Sequence, residues 1–195
     1  ISGYGSSVVF QAFYNYAATG VFEITASTGT TFYGGLIGGA AVFLLIYFVA
    51  GHFAFRDRLH VDEFYRVAGI AACCITTAHS LGRVGCLMAG CCHGIASETF
   101  GIYMAYPGYK AIPTQLYEAL FLALLSVWFV TRVLKGKSYN FPLYMITYGI
   151  WRFFIEYLRG DERGATFVSF LSPSQLTAII LILGGLVFWY AESRS

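Results

Sequence analysis

Charge is what this 195-residue chain has least of: Asp, Glu, Lys and Arg together make up 11% of it, against roughly 25% in soluble domains. That shortage excludes a water-soluble globule. It also excludes a disordered tail, which needs the opposite composition. Net charge is +2, too small to imply nucleic acid as a partner. Five cysteines are too few for a disulfide-rich secreted scaffold. There is no start methionine, since the chain opens on Ile1, and a trimmed beginning is expected. No signal-peptide pattern is visible at the front. The 22 glycines follow no G-X-Y period, which excludes collagen. What is abundant is apolar surface, at 57% hydrophobic and 18% aromatic residues. In such a chain glycine suits close helix packing in lipid.

A membrane-crossing helix needs about 20 apolar residues. Four stretches qualify: Thr31 to Phe55, Tyr65 to Met88, Pro113 to Val133 and Pro173 to Tyr190. Phe141 to Leu158 makes a fifth, with Arg152 and Glu156 inside it. Val8 to Ala18 is short and carries Gln11 and Asn15, as an interfacial helix or a truncated span would. The expected fold is all-α: a polytopic membrane helix bundle of five to six transmembrane helices, one integral membrane domain over residues 1–195. The longest connection, His93 to Ile112, forms a small linker on one face, and its Thr99 to Tyr106 portion alternates like a short hairpin. Arg56, Arg58, Arg66, Arg132, Lys135, Lys137 and Arg194 collect on one side, which marks it as cytoplasmic. Lys110, Arg159 and Arg163 fall on the other, so the linker and the Arg159–Arg163 loop face outward. Pro113-Thr114-Gln115-Leu116 and Pro173-Ser174-Gln175-Leu176 read as two helix starts, with proline in the first turn, rather than as an internal repeat.

Ionisable groups within spans cost about 2.5–3.5 kcal/mol or more each on insertion scales, so they must face protein or water. Two stripes carry them. Tyr148, Arg152, Glu156 and Arg159 are spaced i, i+4, i+8 and i+11 and share one helical face. As a structural feature this is an Arg152–Glu156 pair with Arg159 snorkelling outward. As a functional one, two guanidiniums against one carboxylate leave a positive surplus that suits a phospholipid phosphate. The second stripe holds His79, Arg83, Cys86 and Gly90, on one face if the helix continues that far. Gly82, Gly85, Gly90 and Gly94 keep that segment slim. Arginine is suited to bidentate phosphate binding.

Cys73 and Cys74 lie mid-span and read as small packing residues. Cys86, Cys91, Cys92 and His93 cluster at the outer end. Their C-x4-C-C-H spacing is not a standard zinc pattern, so no metal is expected, and no cofactor either. Inert packing, a disulfide and a reactive thiolate beside Arg83 or His79 all remain open for them.

These motifs resemble those of the bacterial prolipoprotein diacylglyceryl transferase family. Gly82-Arg83-Val84-Gly85 resembles its Gly-Arg-x-Gly-Asn core, and Pro113 to Leu120 is similar to its Pro-[ST]-Gln-Leu-Tyr-Glu stretch. Tyr148 to Arg159 is similar to its Tyr-Gly-x-x-Arg-x-x-x-Glu-x-x-Arg helix, and Phe32 to Gly38 to its His-Gly-Gly stretch. The four occur in family order, from Phe32 to Arg159. The resemblance implies transfer of the diacylglyceryl group of phosphatidylglycerol to a cysteine thiol at the outer leaflet of the cytoplasmic membrane, with glycerol phosphate leaving. It implies that Arg83 and Arg152 bind the lipid phosphate. Tyr148, Glu156 and Arg159 shape the site, Gln115, Tyr117 and Glu118 support it, and Tyr33, Gly34 and Gly35 bind substrate. Three positions depart from the pattern: Tyr33 stands for the family's histidine, Cys86 for an asparagine and Cys91 for a glutamate. His79 or His93 then takes the missing histidine's place. The chain is shorter than the usual enzyme, and only the His93–Ile112 linker is available for an outer head.

The leading expectation is therefore a transferase with a phospholipid donor and a lipid or protein acceptor. Arg83, Arg152, His79, Tyr148, Cys86, Cys91 and His93 are its catalytic candidates. The alternatives are a non-enzymatic phospholipid or anion transporter, whose path the arginines line, and a redox-linked protein using the outer thiols.

Overall fold

Long apolar runs become long helices. In the computed structural model, α1 spans Ser2–Thr19, α2 Phe32–Ala54, α3 Leu59–Asp62 and α4 Phe64–Ala89. The helices α5 (Thr114–Leu134), α6 (Asn140–Ile155) and α7 (Pro173–Glu192) follow, and a single 3-10 turn, Glu156–Leu158, extends α6. The structure describes residues 2–25, 27–29, 32–55, 57–104, 106–160 and 171–194. Arg56 and Arg163, the latter in the loop assigned to the outer side, lie outside these. Four helices, α2, α4, α5 and α7, are long and apolar enough to cross a membrane. They correspond to the four runs read from sequence. The fifth run gives α6, which is only 16 residues long before its 3-10 turn. The opening segment is longer than expected, because its Gly- and Ser-rich start is helical as well.

Two compact units divide the chain at Glu63 and Phe64. In the first, α1 packs on α2 through small residues. Ser6 Oγ donates to the Gly34 carbonyl at 2.9 Å, and a Cβ on Gly35 would lie 3.2 Å from the Gly3 carbonyl. Gly34 and Gly35 are thus taken up by this helix pair, and Tyr33 is the second residue of α2. Tyr47 fixes the α2–α3 corner by donating to the His60 carbonyl at 2.7 Å.

In the second unit α4 packs on α5 and α6, and α6 on α5 and α7. The buried stripe of α5 runs Gln115, Glu118, Leu122, Leu125, Phe129, a spacing of three and four residues that keeps one helical face inward. Opposite it, α4 presents Ala68, Gly69, Ala72, Thr76 and Ser80. These side chains are small enough to let the helices approach closely. Ala72, Leu125, Phe129 and Tyr144 form the apolar core, while Phe121 stacks on Trp151 at 4.2 Å. Apolar side chains on the outer faces, such as Leu124, Val127 and Leu183, are exposed, as lipid-facing residues are. Arg66, Arg132, Lys135, Lys137 and Arg194 gather at the end of this unit where α5 turns into α6, and Arg132 donates from Nε to Asn140 Oδ1 at 2.9 Å.

At the opposite end the linker is tied down by backbone bonds. The hairpin is real but sits later than expected. Strand β1 (Ile102–Tyr103) pairs antiparallel with β2 (Lys110–Ala111), and the reversal runs through Tyr106 to Tyr109. Gly94 bridges to Arg159, and Ile95 N–H donates to the Leu158 carbonyl at 2.9 Å. A Cβ on Gly94 would collide with that same carbonyl, so glycine is what lets the linker lie against the end of α6. The second unit therefore has a cationic end and an end closed by the linker.

Candidate active site

Glu118 is the hub of the linker end. It lies on the buried face of α5 with no solvent exposure. Arg83, from α4, closes on it as a fork: Nε is 2.9 Å from Oε2, and Nη2 donates to Oε1 at 3.2 Å. Tyr148, from α6, donates its hydroxyl to Oε1 at 2.8 Å. His79, one turn before Arg83, holds Nε2 3.9 Å from the same oxygen. Its ring meets Tyr148 edge-on, with centroids 5.1 Å apart.

Arg152 follows Tyr148 by one turn on the same face of α6. Its Nη2 donates to Ser174 Oγ at 2.8 Å and lies 2.9 Å from Glu156 Oε2. Its Nη1 is buried and has no hydrogen-bond partner among the described residues. Glu156 also accepts from Ser172 Oγ at 2.9 Å, and Arg159 Nε is 4.0 Å from it. Both guanidiniums, Arg83 and Arg152, lie within electrostatic range of His79 and of Tyr148. The two stripes read from the sequence therefore converge. Among the described residues, three guanidiniums (Arg83, Arg152, Arg159) stand beside two carboxylates, Glu118 and Glu156. A buried guanidinium with a spare donor is chemically suited to an anionic oxygen.

Several expectations change in detail. Arg159 does not snorkel outward: it is buried, against Glu156 and Cys92. The helix after Arg83 stops at Ala89, and Gly90 takes a φ of +69°, so Gly90 leaves the helical stripe. Tyr117 lies on the exposed side of α5, and the structure does not bring it to Glu118. His93 sits in the linker, with Nδ1 2.9 Å from the Gly94 carbonyl and its ring edge-on to Tyr109. It is not part of the cluster around Glu118. Ser172 and Ser174 were not foreseen. Their signal was the Pro-x-Gln-Leu echo, which speaks only of helix starts. Ser172 does cap α7, in a reciprocal box with Gln175, and its hydroxyl serves Glu156 as well.

The thiols border this site. Cys86 lies in the last turn of α4. The chain then turns back, and Cys92 takes a left-handed φ of 61°. Gln115 Nε2 donates to the Cys91 carbonyl at 2.9 Å, and Thr114 Oγ1 to the Cys92 carbonyl at 3.0 Å. Gln115 thus supports the site by anchoring this turn. All five cysteines are free thiols. Burial would raise the Cys92 thiol, but a hydrogen bond and the charge of Arg159, with Arg83 adding, hold it below its ordinary value. Burial, together with Cys92 and Cys86, pushes Cys91 up to about 11.

The sequence pattern of the family described as prolipoprotein diacylglyceryl transferase matches residues 3–191. The chain belongs to that family. It is 34% identical, over 171 residues, to phosphatidylglycerol–prolipoprotein diacylglyceryl transferase 2 of Clostridium perfringens, a match covering 83% of this chain and 61% of that protein. A phosphatidylglycerol–prolipoprotein diacylglyceryl transferase of Clostridium tetani is 31% identical over 175 residues, covering 84% of this chain and 65% of its own length. One of Dehalococcoides mccartyi is 33% identical over 180 residues, covering 88% and 64%. The chain thus spans less than two thirds of the length of these relatives. For a prolipoprotein diacylglyceryl transferase family member, the resemblance seen in four short motifs extends over nearly the whole sequence.

Proposed function

We propose that this chain is a membrane transferase that takes the diacylglyceryl group of phosphatidylglycerol and passes it to an acceptor thiol; its relatives are named as phosphatidylglycerol–prolipoprotein diacylglyceryl transferases. The whole of residues 1–195 acts as one multi-pass domain of the cytoplasmic membrane, with the linker end facing outward. The observation that carries this reading is the buried Nη1 of Arg152, a charged donor without a hydrogen-bond partner among the described residues. A lipid phosphate supplies the oxygen and the negative charge that such a donor requires.

The chemistry follows from charge. In phosphatidylglycerol the phosphate is a diester with one negative charge. When the acceptor sulfur attacks the diacylglyceryl carbon next to it, a C–S bond forms and that C–O bond breaks. The electron pair leaves with glycerol phosphate, a monoester that carries close to two negative charges at neutral pH. Fixed cations bind the departing form more tightly than the starting one, and that difference is catalysis. Arg152 grips the phosphate through Nη1, while Arg83, held by Glu118, adds its charge. His79 takes the thiol proton as general base, and Glu118, 3.9 Å away, stabilises the resulting imidazolium. Tyr148 keeps Glu118 in place. Ser174 and Glu156 fix the Arg152 fork.

The test is mass spectrometry of lipids and proteins from cells with and without the chain, repeated with Arg152→Ala. A transferase yields a diacylglyceryl-modified product together with glycerol phosphate, and the variant loses both. A transporter yields no modified product in any arm, and that result would overturn the proposal. The same spectra identify the acceptor as protein or lipid.

A further inference from the structure

Three thiols at the linker end have no part in the chemistry above. Cys86, Cys91 and Cys92 hold their sulfurs within 4.8 Å of one another. This follows from the fold rather than from simple spacing. The end of α4 presents Cys86, and the left-handed turns at Gly90 and Cys92 bring the next two cysteines back towards it. Cys91 N–H donates to the Cys86 carbonyl at 3.1 Å, and Gln115 and Thr114 hold the carbonyls of Cys91 and Cys92. The cluster is therefore braced from α4 and α5.

We propose that Cys86, Cys91 and Cys92 form a three-thiolate site for a single thiophilic cation of the Cu(I) class. A metal about 2.3 Å from each sulfur sets them roughly 4 Å apart, so sulfurs already within 4.8 Å close on it by small side-chain rotations. All-sulfur ligation selects soft ions over hard ones. Three ligands match a trigonal monovalent ion better than tetrahedral Zn(II). His93, next to Cys92 in the chain, is not among the groups gathered there, and its Nδ1 lies 2.9 Å from the Gly94 carbonyl. Three thiolates around one monovalent ion carry two negative charges. Arg159 and Arg83 face Cys92, and Arg83 also faces Cys86, so cations stand beside that charge. Exposed Cys91 gives the ion a way in. On binding, each thiol releases its proton to the buffer and no electron is transferred. The sequence argument, that C-x4-C-C-H is not a standard zinc spacing, concerns a different ion and ligand count.

The test uses the full chain in detergent, reduced and anaerobic, titrated with Cu(I) against a competing chelator. Sulfur-to-copper charge transfer in the ultraviolet should saturate at one ion per chain. Cys86→Ser, Cys91→Ser and Cys92→Ser should each weaken binding at least tenfold, while Cys73→Ser and Cys74→Ser should leave it in place. On the unaltered protein, bound Cu(I) should shield Cys92 from alkylation, but not Cys74, which is exposed within α4. Binding that survives the triple serine variant, or that leaves Cys92 as reactive as before, overturns the site. Tighter capture of Zn(II) than of Cu(I) overturns the choice of ion.

Discussion

Arg83 and Arg152 are each paired with a glutamate in the same helical unit, Arg83 with buried Glu118 and Arg152 with half-buried Glu156, yet they use their guanidiniums differently. Arg83 commits both Nε and Nη2 to Glu118. Arg152 places Nη2 between Glu156 and Ser174 and keeps Nη1 buried without a partner among the described residues. Arg83 turns the Nε and Nη2 edge of its guanidinium onto one carboxylate, while Arg152 has a terminal nitrogen, Nη1, that is buried and without a hydrogen-bond partner among the described residues. Burial of a charge therefore does not by itself distinguish a structural arginine from a ligand-binding one. In the proposed reaction Arg83 contributes charge and position, and Arg152 contributes the grip.

The comparison is broken most severely at Arg152. Arg152→Ala should lower turnover about 10³-fold, the scale of removing one oriented donor from a site of developing negative charge. Glycerol phosphate release from phosphatidylglycerol vesicles measures it. Arg152→Lys should recover little, because an ammonium cannot reproduce the fork. Next in size is Glu118→Gln, which leaves Arg83 buried without its counter-charge and should cost about 3 kcal/mol of stability in a denaturant titration. Replacing both partners, Arg83→Met with Glu118→Leu, should restore most of that stability without restoring activity. Equal losses from Arg83→Ala and Arg152→Ala in lipid binding alone would erase the distinction.

The two histidines sharpen it further. His79→Ala should slow the reaction about 10²-fold, as loss of a general base does, whereas His93→Ala should change it by less than about twofold, as substitutions away from such features do. The smallest effect lies in the thiols. Cys92, held down by Arg159 and Arg83, should react with iodoacetamide below the pH at which an ordinary thiol does. Cys91, pushed up to about 11, should follow only in strong alkali. A peptide-resolved alkylation profile against pH reads both, and the reverse order would contradict the charge placement.

Much of the fold was legible because long apolar runs leave a chain few choices in lipid. The spacing of Tyr148, Arg152 and Glu156 also put them on one face, as found. Glu118 was harder to place. Its central role depends on α4 and α6 both packing against α5, and no local pattern states that. A signal did exist: counting back from Phe129 through Leu125 and Leu122 by alternating steps of four and three lands on Glu118 and Gln115, and misses Tyr117. A carboxylate on a buried stripe must have cationic partners. The thiols cluster in the sequence already, but the close approach of their three sulfurs was not legible there. Sequence spacing assumes a continuing helix or a standard metal loop, whereas two left-handed residues, Gly90 and Cys92, close this turn.

The central claim is that the spare donor of Arg152 holds a lipid phosphate, and native mass spectrometry of the protein released from mixed-lipid micelles addresses it most directly. The account predicts that the unaltered chain retains one phosphatidylglycerol in preference to uncharged diacylglycerol, and that Arg152→Ala weakens this retention by about tenfold or more, the worth of one charge-assisted hydrogen bond. Equal retention by the variant, or equal retention of diacylglycerol, would contradict it.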